Sequence, residues 1–199
     1  MTTVNFKKNI FILFLLFSTS CTGSSVTSML GNAAFSEKGL KTSLKDAYTF
    51  SKIKTKFTSL NLVSIAEIGV HVSLGRVLLI GNTSSSNERL ELVKATWSIP
   101  GVIEVYNEIK IKENYSILER LNDKFIEGKV SAKLLLEPNI LSNNYSLQVF
   151  KKDLFIIGIS RNIEEKNKLY VLLNEFTQIK KIISFVILKK QTANINENQ

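Results

Sequence analysis

Along residues 46–190 the apolar positions change period in a fixed order, and the order occurs twice. In the first pass "FSKIKTKF" sets Phe50, Ile53 and Phe57 three and four residues apart, which is one face of a helix. "IGVHVSLGRVLLIG" then alternates as two strands around an "SLGR" turn, the segment from Ser84 to Trp97 returns to a helix-like pattern, and "VIEVYNEIKI" closes on a strand. Placing Gly81 over Gly158 aligns the second pass without a gap: "VLLIGNTSSSNERLELV" falls on "LFIIGISRNIEEKNKLY", and Leu92, Ile99, Val102 and Val105 meet Leu169, Phe176, Ile179 and Ile182. The second hairpin is "YSLQVFKKDLFIIG" around "KKD", and "KIISFVIL" is the last strand. The first helix matches less tightly. Setting "LERLNDKF" under "FSKIKTKF" pairs Leu118, Leu121 and Phe125 with Phe50, Ile53 and Phe57 and predicts that all six face a core.

Helix, strand, strand, helix, strand predicts an α+β fold: two tandem small αββαβ units, each a three-stranded sheet covered on one face by two helices. Their expected extents are 46–112 and 113–190. Gly81 and Gly158 each end an apolar strand before a helix, where a phosphate site could form. Neither stands in a GxGxxG or GxxxxGK[ST] motif, and a glycine in this place marks a bulge or a close backbone approach. Both are expected to be structural.

The ends of the chain change the picture. Lys7 and Lys8 precede a short apolar run from Ile10 to Phe17, then small residues and Cys21, the order of an export signal over residues 1–20. That run is too short to span a bilayer as a helix. The small residues and the single cysteine resemble the lipobox of bacterial lipoproteins, with Ser18 where leucine is usual, so Cys21 is the expected acylation site. An ordinary signal peptide with an incidental thiol is the other reading. Residues 21–45 are rich in Ser, Thr and Gly and read as a flexible tether, and residues 191–199 read as a frayed polar tail.

At this point the chain resembles the BON domain family. The resemblance is carried by "KIKTKF", "GRVLLIG" and "IPGVIEVYNEIKI" in the first copy, and by "DLFIIG" with the closing strand in the second, where "TQIKKIISFVIL" replaces the Pro-Gly-Val step. The tandem pair behind a lipobox is similar to dual-BON outer-membrane lipoproteins of Gram-negative bacteria. This resemblance implies a non-enzymatic protein at the periplasmic face of the outer membrane, lipid-anchored, binding anionic phospholipid and supporting envelope integrity.

Charge adds weight to an anionic partner. The chain has 26 Lys and Arg against 17 Asp and Glu, a net charge of +9. Residues 46–112 carry 8 basic against 6 acidic residues, and residues 113–190 carry 13 against 9, so the second copy is expected to be the more basic. Within it, Arg120, Lys124, Lys129 and Lys133 lie along the first helix and its connection, together with Tyr115, Ile117 and Ile126. The connection after that helix, "GKVSAKLLLEPNILSNN", is longer than in the first copy, and its apolar "LLL" beside Lys129 and Lys133 suits shallow insertion at an anionic interface; together with the helix flank this makes these seven residues the candidate lipid contact. A wider buried face is the other account of the apolar three.

Other chemistry finds little support. One Cys and one His exclude an internal disulfide and a four-ligand Cys/His zinc site, and no cofactor or metal is expected. His71 alternates with Val70 and Val72 and is expected to point away from them. Trp97 is expected to pack in the core or at a helix edge, Ser84 to Ser86 to cap one helix, and Glu164 and Glu165 to sit at the positive end of another. No acid/base pair emerges. Lysines dispersed around both copies, behind an export signal, argue against nucleic acid as the partner. A scaffold for envelope protein partners stays open beside the lipid reading.

Overall fold

The structure is a computed structural model that describes residues 39–189. The export signal, Cys21 and most of the tether lie outside those residues, as does the tail. The first unit comprises α1 (Leu40–Thr58), a 3-10 turn (Val63–Glu67), β1 (Gly69–Ser73), β2 (Arg76–Thr83), α2 (Ser86–Trp97) and β3 (Glu104–Ile111). The second comprises α3 (Ile117–Leu136), a 3-10 turn (Ser142–Asn144), β4 (Tyr145–Phe150), β5 (Asp153–Ser160), α4 (Ile163–Asn174) and β6 (Lys181–Leu188). Each sheet holds its hairpin antiparallel and its last strand parallel to the middle one, in the orders β1-β2-β3 and β4-β5-β6. Two tandem αββαβ units are therefore present, as the alternation predicts.

The offset of 77 residues that places Gly81 on Gly158 holds upstream of the hairpin as well, from the starts of α1 and α3 onward. Asp46 and Asp123 reveal this register. Asp46 accepts the backbone N–H groups of Leu74 and Gly75 at 2.9 and 3.0 Å, and Asp123 accepts those of Lys151 and Lys152 at 2.5 and 3.2 Å. Both pairs of donors have positive φ, so each turn has the twist that suits a tight hairpin, and a helix carboxylate holds it. In the true register Ile53 and Phe57 correspond to Val130 and Leu134, and all four are buried. The expected pairing with Leu121 and Phe125 is wrong. Those two residues, with Leu118, face solvent.

A second correction concerns where the first unit begins. Helix α1 starts at Leu40, inside the stretch read as tether. Counted over equivalent spans, residues 40–112 carry 10 basic against 6 acidic residues and residues 117–189 carry 12 against 8, a net +4 for each. The expected charge difference between the copies came from cutting Lys41 and Lys45 off the first.

Within each unit one sheet face packs on its own helices. Val77, Leu79 and Ile109 join Ile53, Phe57 and Leu92 in the first core; Leu154, Ile156 and Val186 join Ile126, Val130 and Leu169 in the second. The opposite sheet faces meet each other. Leu78 and Ile80 of β2 pack with Phe155 and Ile157 of β5, and Tyr106 stacks on Phe185 with ring centroids 4.2 Å apart. The molecule is thus layered helix, sheet, sheet, helix. This explains why "VLLI" and "LFII" are unbroken apolar runs: the middle strands are covered on both faces.

Polar groups fix this junction. Arg76, 1% exposed, donates to the carbonyl oxygens of Gly158 and Phe185, each at 2.9 Å. His71 lies across from Ser146 and Gln148, and Arg120 pairs with Glu67 at 2.6 Å. Neither Gly81 nor Gly158 has room for a side chain. A Cβ on Gly81, at φ 144, would stand 2.1 Å from the Glu67 carbonyl oxygen, and one on Gly158 would stand 2.4 Å from that of Asn144.

Candidate functional site

Helix α3 starts at a capping box. Ser116 Oγ accepts the Glu119 N–H at 3.3 Å, and the Glu119 carboxylate accepts the Ser116 N–H at 2.8 Å. From that start Asp123, Ile126, Val130 and Leu134 recur at helical spacing and are buried against the second sheet and α4. The outward side of such a helix is ordinarily polar. Here Leu118, Leu121, Phe125, Leu135 and Leu136 point outward, between 61% and 81% exposed, with Gly128 and Ala132 completing the strip. An apolar strip of this length along one helix is the candidate contact surface.

Lysines border it. The Lys129 ammonium sits 4.4 Å from the Phe125 ring centroid, Lys124 pairs with Glu127 at 2.8 Å, and Lys133 pairs with Glu175. The strip therefore has cationic edges, of which two are partly neutralised by carboxylates on the protein side.

Four of the seven sequence-derived contact residues belong to this face: Ile117, which is 78% exposed, and Lys124, Lys129 and Lys133. Three do not. Ile126 is 1% exposed and part of the core, because it takes the place Thr49 has in the first unit. Tyr115 turns inward. Its hydroxyl donates to Asp123 at 2.7 Å, its ring meets Phe150 edge-on at 4.6 Å, and burial together with the Asp123 carboxylate raises its pKa. Arg120 is engaged by Glu67 and by the Tyr115 carbonyl, so it joins the two units.

The sequence pattern alone assigns Leu118, Leu121 and Phe125 to the core and places the apolar "LLL" in a connection between helix and hairpin; the helix instead runs on through Leu136, which buries Leu134 and turns Leu135 and Leu136 outward. A sequence signal for the outward strip does exist: carrying the glycine alignment upstream superposes Asp46 on Asp123 and turns the first three outward.

Among the described residues no group of three or more His, Cys, Asp or Glu could hold a metal ion, and no helix is long and apolar enough to cross a membrane. His71 points away from Val70 and Val72 and into the junction. Trp97 is half exposed at the end of α2. Ser85 caps α2 by accepting the Glu88 N–H at 3.2 Å. Glu165, at the start of α4, is buried and accepts from Leu141 and Arg161. Burial alone would raise its pKa, but these donors outweigh it and leave the carboxyl below its ordinary range.

Comparison with known proteins gives the family. Residues 45–113 match the BON domain. A protein of Anaplasma centrale, "Uncharacterized protein in gshII 5'region", is 31% identical over 147 residues, which is 73% of this chain and 96% of that protein. The chain belongs to the BON-domain family. Two further proteins are similar over shorter stretches. One is the "21 kDa hemolysin" of Actinobacillus pleuropneumoniae, 28% identical over 123 residues, 55% of this chain and 62% of that protein. The other is the "Outer membrane lipoprotein DolP" of Haemophilus influenzae, 23% identical over 109 residues, 55% of this chain and 56% of that protein. In both, the match covers less than two thirds of the relative. The BON match covers the first unit, and the second unit repeats it element for element.

Proposed function

We propose that this BON-domain protein is a non-enzymatic envelope lipoprotein, anchored at the periplasmic face of the outer membrane through Cys21, that binds anionic phospholipid through α3 and supports envelope integrity. The observation that carries the binding step is the outward apolar strip of α3 with its lysine border. The relative named as an outer-membrane lipoprotein supports the location. Magnitudes rank the two parts of the contact. Removing a leucine or phenylalanine fully from water contributes about 1.5–3 kcal/mol, whereas a lysine near an anionic surface contributes about 1 kcal/mol. With Lys124 and Lys133 already paired to carboxylates, apolar insertion contributes more than charge on this face.

The test uses the chain from residue 22 onward, which keeps every element of the fold and lacks the acyl anchor. It should sediment with vesicles containing phosphatidylglycerol and less with pure phosphatidylcholine. Leu121→Ser combined with Phe125→Ser and Leu136→Ser should lower binding at least about tenfold while the melting temperature is kept, because these side chains are exposed. Unchanged binding of that folded variant would remove α3 as the contact. A chain that shows no preference for anionic vesicles would leave an envelope protein partner as the occupant of the strip.

A further inference from the structure

We infer that α1 is a second, electrostatic contact for an anionic lipid surface, directed away from α3, so that the molecule bridges two such surfaces. One of the two contacts rests on the α3 reading above; the other does not.

The first unit offers the same outward helix face with different chemistry. Lys41, Lys45, Lys52 and Lys56 are all exposed, and at about 100° per residue they fall within about 60° of arc along α1. Fifteen residues separate the first from the last, so the line of charge is about 22 Å long. Leu44 and Tyr48 run along its edge, 45% and 59% exposed, and the Lys52 ammonium lies 5.3 Å from the Tyr48 ring centroid. The helix has one acidic residue, Asp46, and it is buried under the hairpin turn. None of the four lysines is ion-paired among the described residues.

At the 77-residue offset Lys41 and Lys45 stand where the second unit has Leu118 and Asn122, while Lys52 and Lys56 correspond to Lys129 and Lys133. One surface of the repeat is therefore apolar with a cationic border, and its counterpart is cationic with an apolar border. A straight, convex row of lysines beside a tyrosine matches a flat anionic interface, where the ammonium groups meet headgroups and the tyrosine sits at their depth.

Direction follows from the layering. Each helix covers the outer face of its own sheet, and the inner faces of the two sheets are packed on each other. The outward faces of α1 and α3 therefore point away from each other, and one flat surface cannot touch both.

Bridging and binding are separable. The chain from residue 22 onward is mixed with vesicles of equal parts phosphatidylcholine and phosphatidylglycerol; sedimentation reads binding through either helix, and energy transfer between two dye-labelled vesicle populations reads bridging. Wild type should bind and bridge. High salt should abolish bridging first, since the α1 contact is screened over a Debye length of about 10 Å at 0.1 M salt and has little apolar support. The combination Lys41→Glu, Lys45→Glu, Lys52→Glu and Lys56→Glu should still bind through α3 but lose bridging, with its melting temperature kept. If this variant bridges like wild type, or if wild type binds without bridging at low salt, the inference is overturned and α1 faces an acidic protein or no partner. A larger fall in sedimentation on altering α3 than on altering α1 upholds the α3 reading whichever way bridging falls, and residual salt-sensitive sedimentation of the α3 variant is the share the α1 contact supplies.

Discussion

His71 sits on β1 with Nδ1 2.7 Å from the Ser146 hydroxyl and Nε2 2.9 Å from the Gln148 side-chain oxygen. The amide oxygen can only accept, so Nε2 carries the proton and Nδ1 accepts from the hydroxyl. Desolvation holds its pKa below the ordinary 6.5; the Gln148 bond and the Glu127 charge work the other way, and Lys124 works with it. In the unfolded chain His71 takes a proton near pH 6.5, whereas in the folded protein it resists until a lower pH. Stability contributed here is thus complete above pH 6.5 and declines as pH falls from there toward the folded-state pKa. The melting temperature should drop between about pH 7 and 5, and His71→Asn should flatten that decline. An equal decline in the variant would place its cause in another group.

At the scale of the element, the two hairpins show how one helix residue secures a turn. Leu74 and Gly75 form the first turn; Lys151 and Lys152 form the second, both at positive φ without a glycine. A left-handed lysine costs about 1 kcal/mol relative to glycine, and Asp123 offsets this by accepting both backbone N–H groups. Asp123→Ala should therefore lower stability by about 2 kcal/mol or more, since it strands two turn donors and the Tyr115 hydroxyl. Lys152→Gly should recover part of that loss. Chemical denaturation of the single and double variants measures both effects, and a neutral Asp123→Ala would remove the carboxylate from this role. Arg120 holds the units together through Glu67, so reversing its charge disturbs the junction as well as the surface.

For the whole molecule the decisive feature is the inner sheet-to-sheet contact. Leu78, Ile80, Phe150, Phe155 and Ile157 are buried between the units, and Arg76 places its guanidinium on two carbonyl oxygens across the junction. A second unit expressed alone, residues 113–189, would present Phe155 and Ile157 to water. It should melt well below the two-unit chain and self-associate, read by calorimetry and by sedimentation. A monomeric isolated unit as stable as the whole would mean that the junction contributes little. For the same reason, vesicle binding by that isolated unit would not report on α3 alone.

The sequence by itself determined the elements, their order and their repetition. Hydrophobic period distinguishes helix from strand locally, and Gly81 and Gly158 carry a steric requirement that no larger side chain meets. It also determined that the chain is basic. The tertiary structure decided which face is outward. Leu118, Leu121 and Phe125 have the spacing of a core face, and the same spacing serves a contact strip; local period cannot separate the two, and packing of Ile126, Val130 and Leu134 against the sheet assigns the first set to the surface. It also decided that the sheets cover each other, that Tyr115 and Arg120 turn inward, and that α1 and α3 look in opposite directions. Periodicity reports that a face is apolar. What covers that face depends on segments far away in the chain.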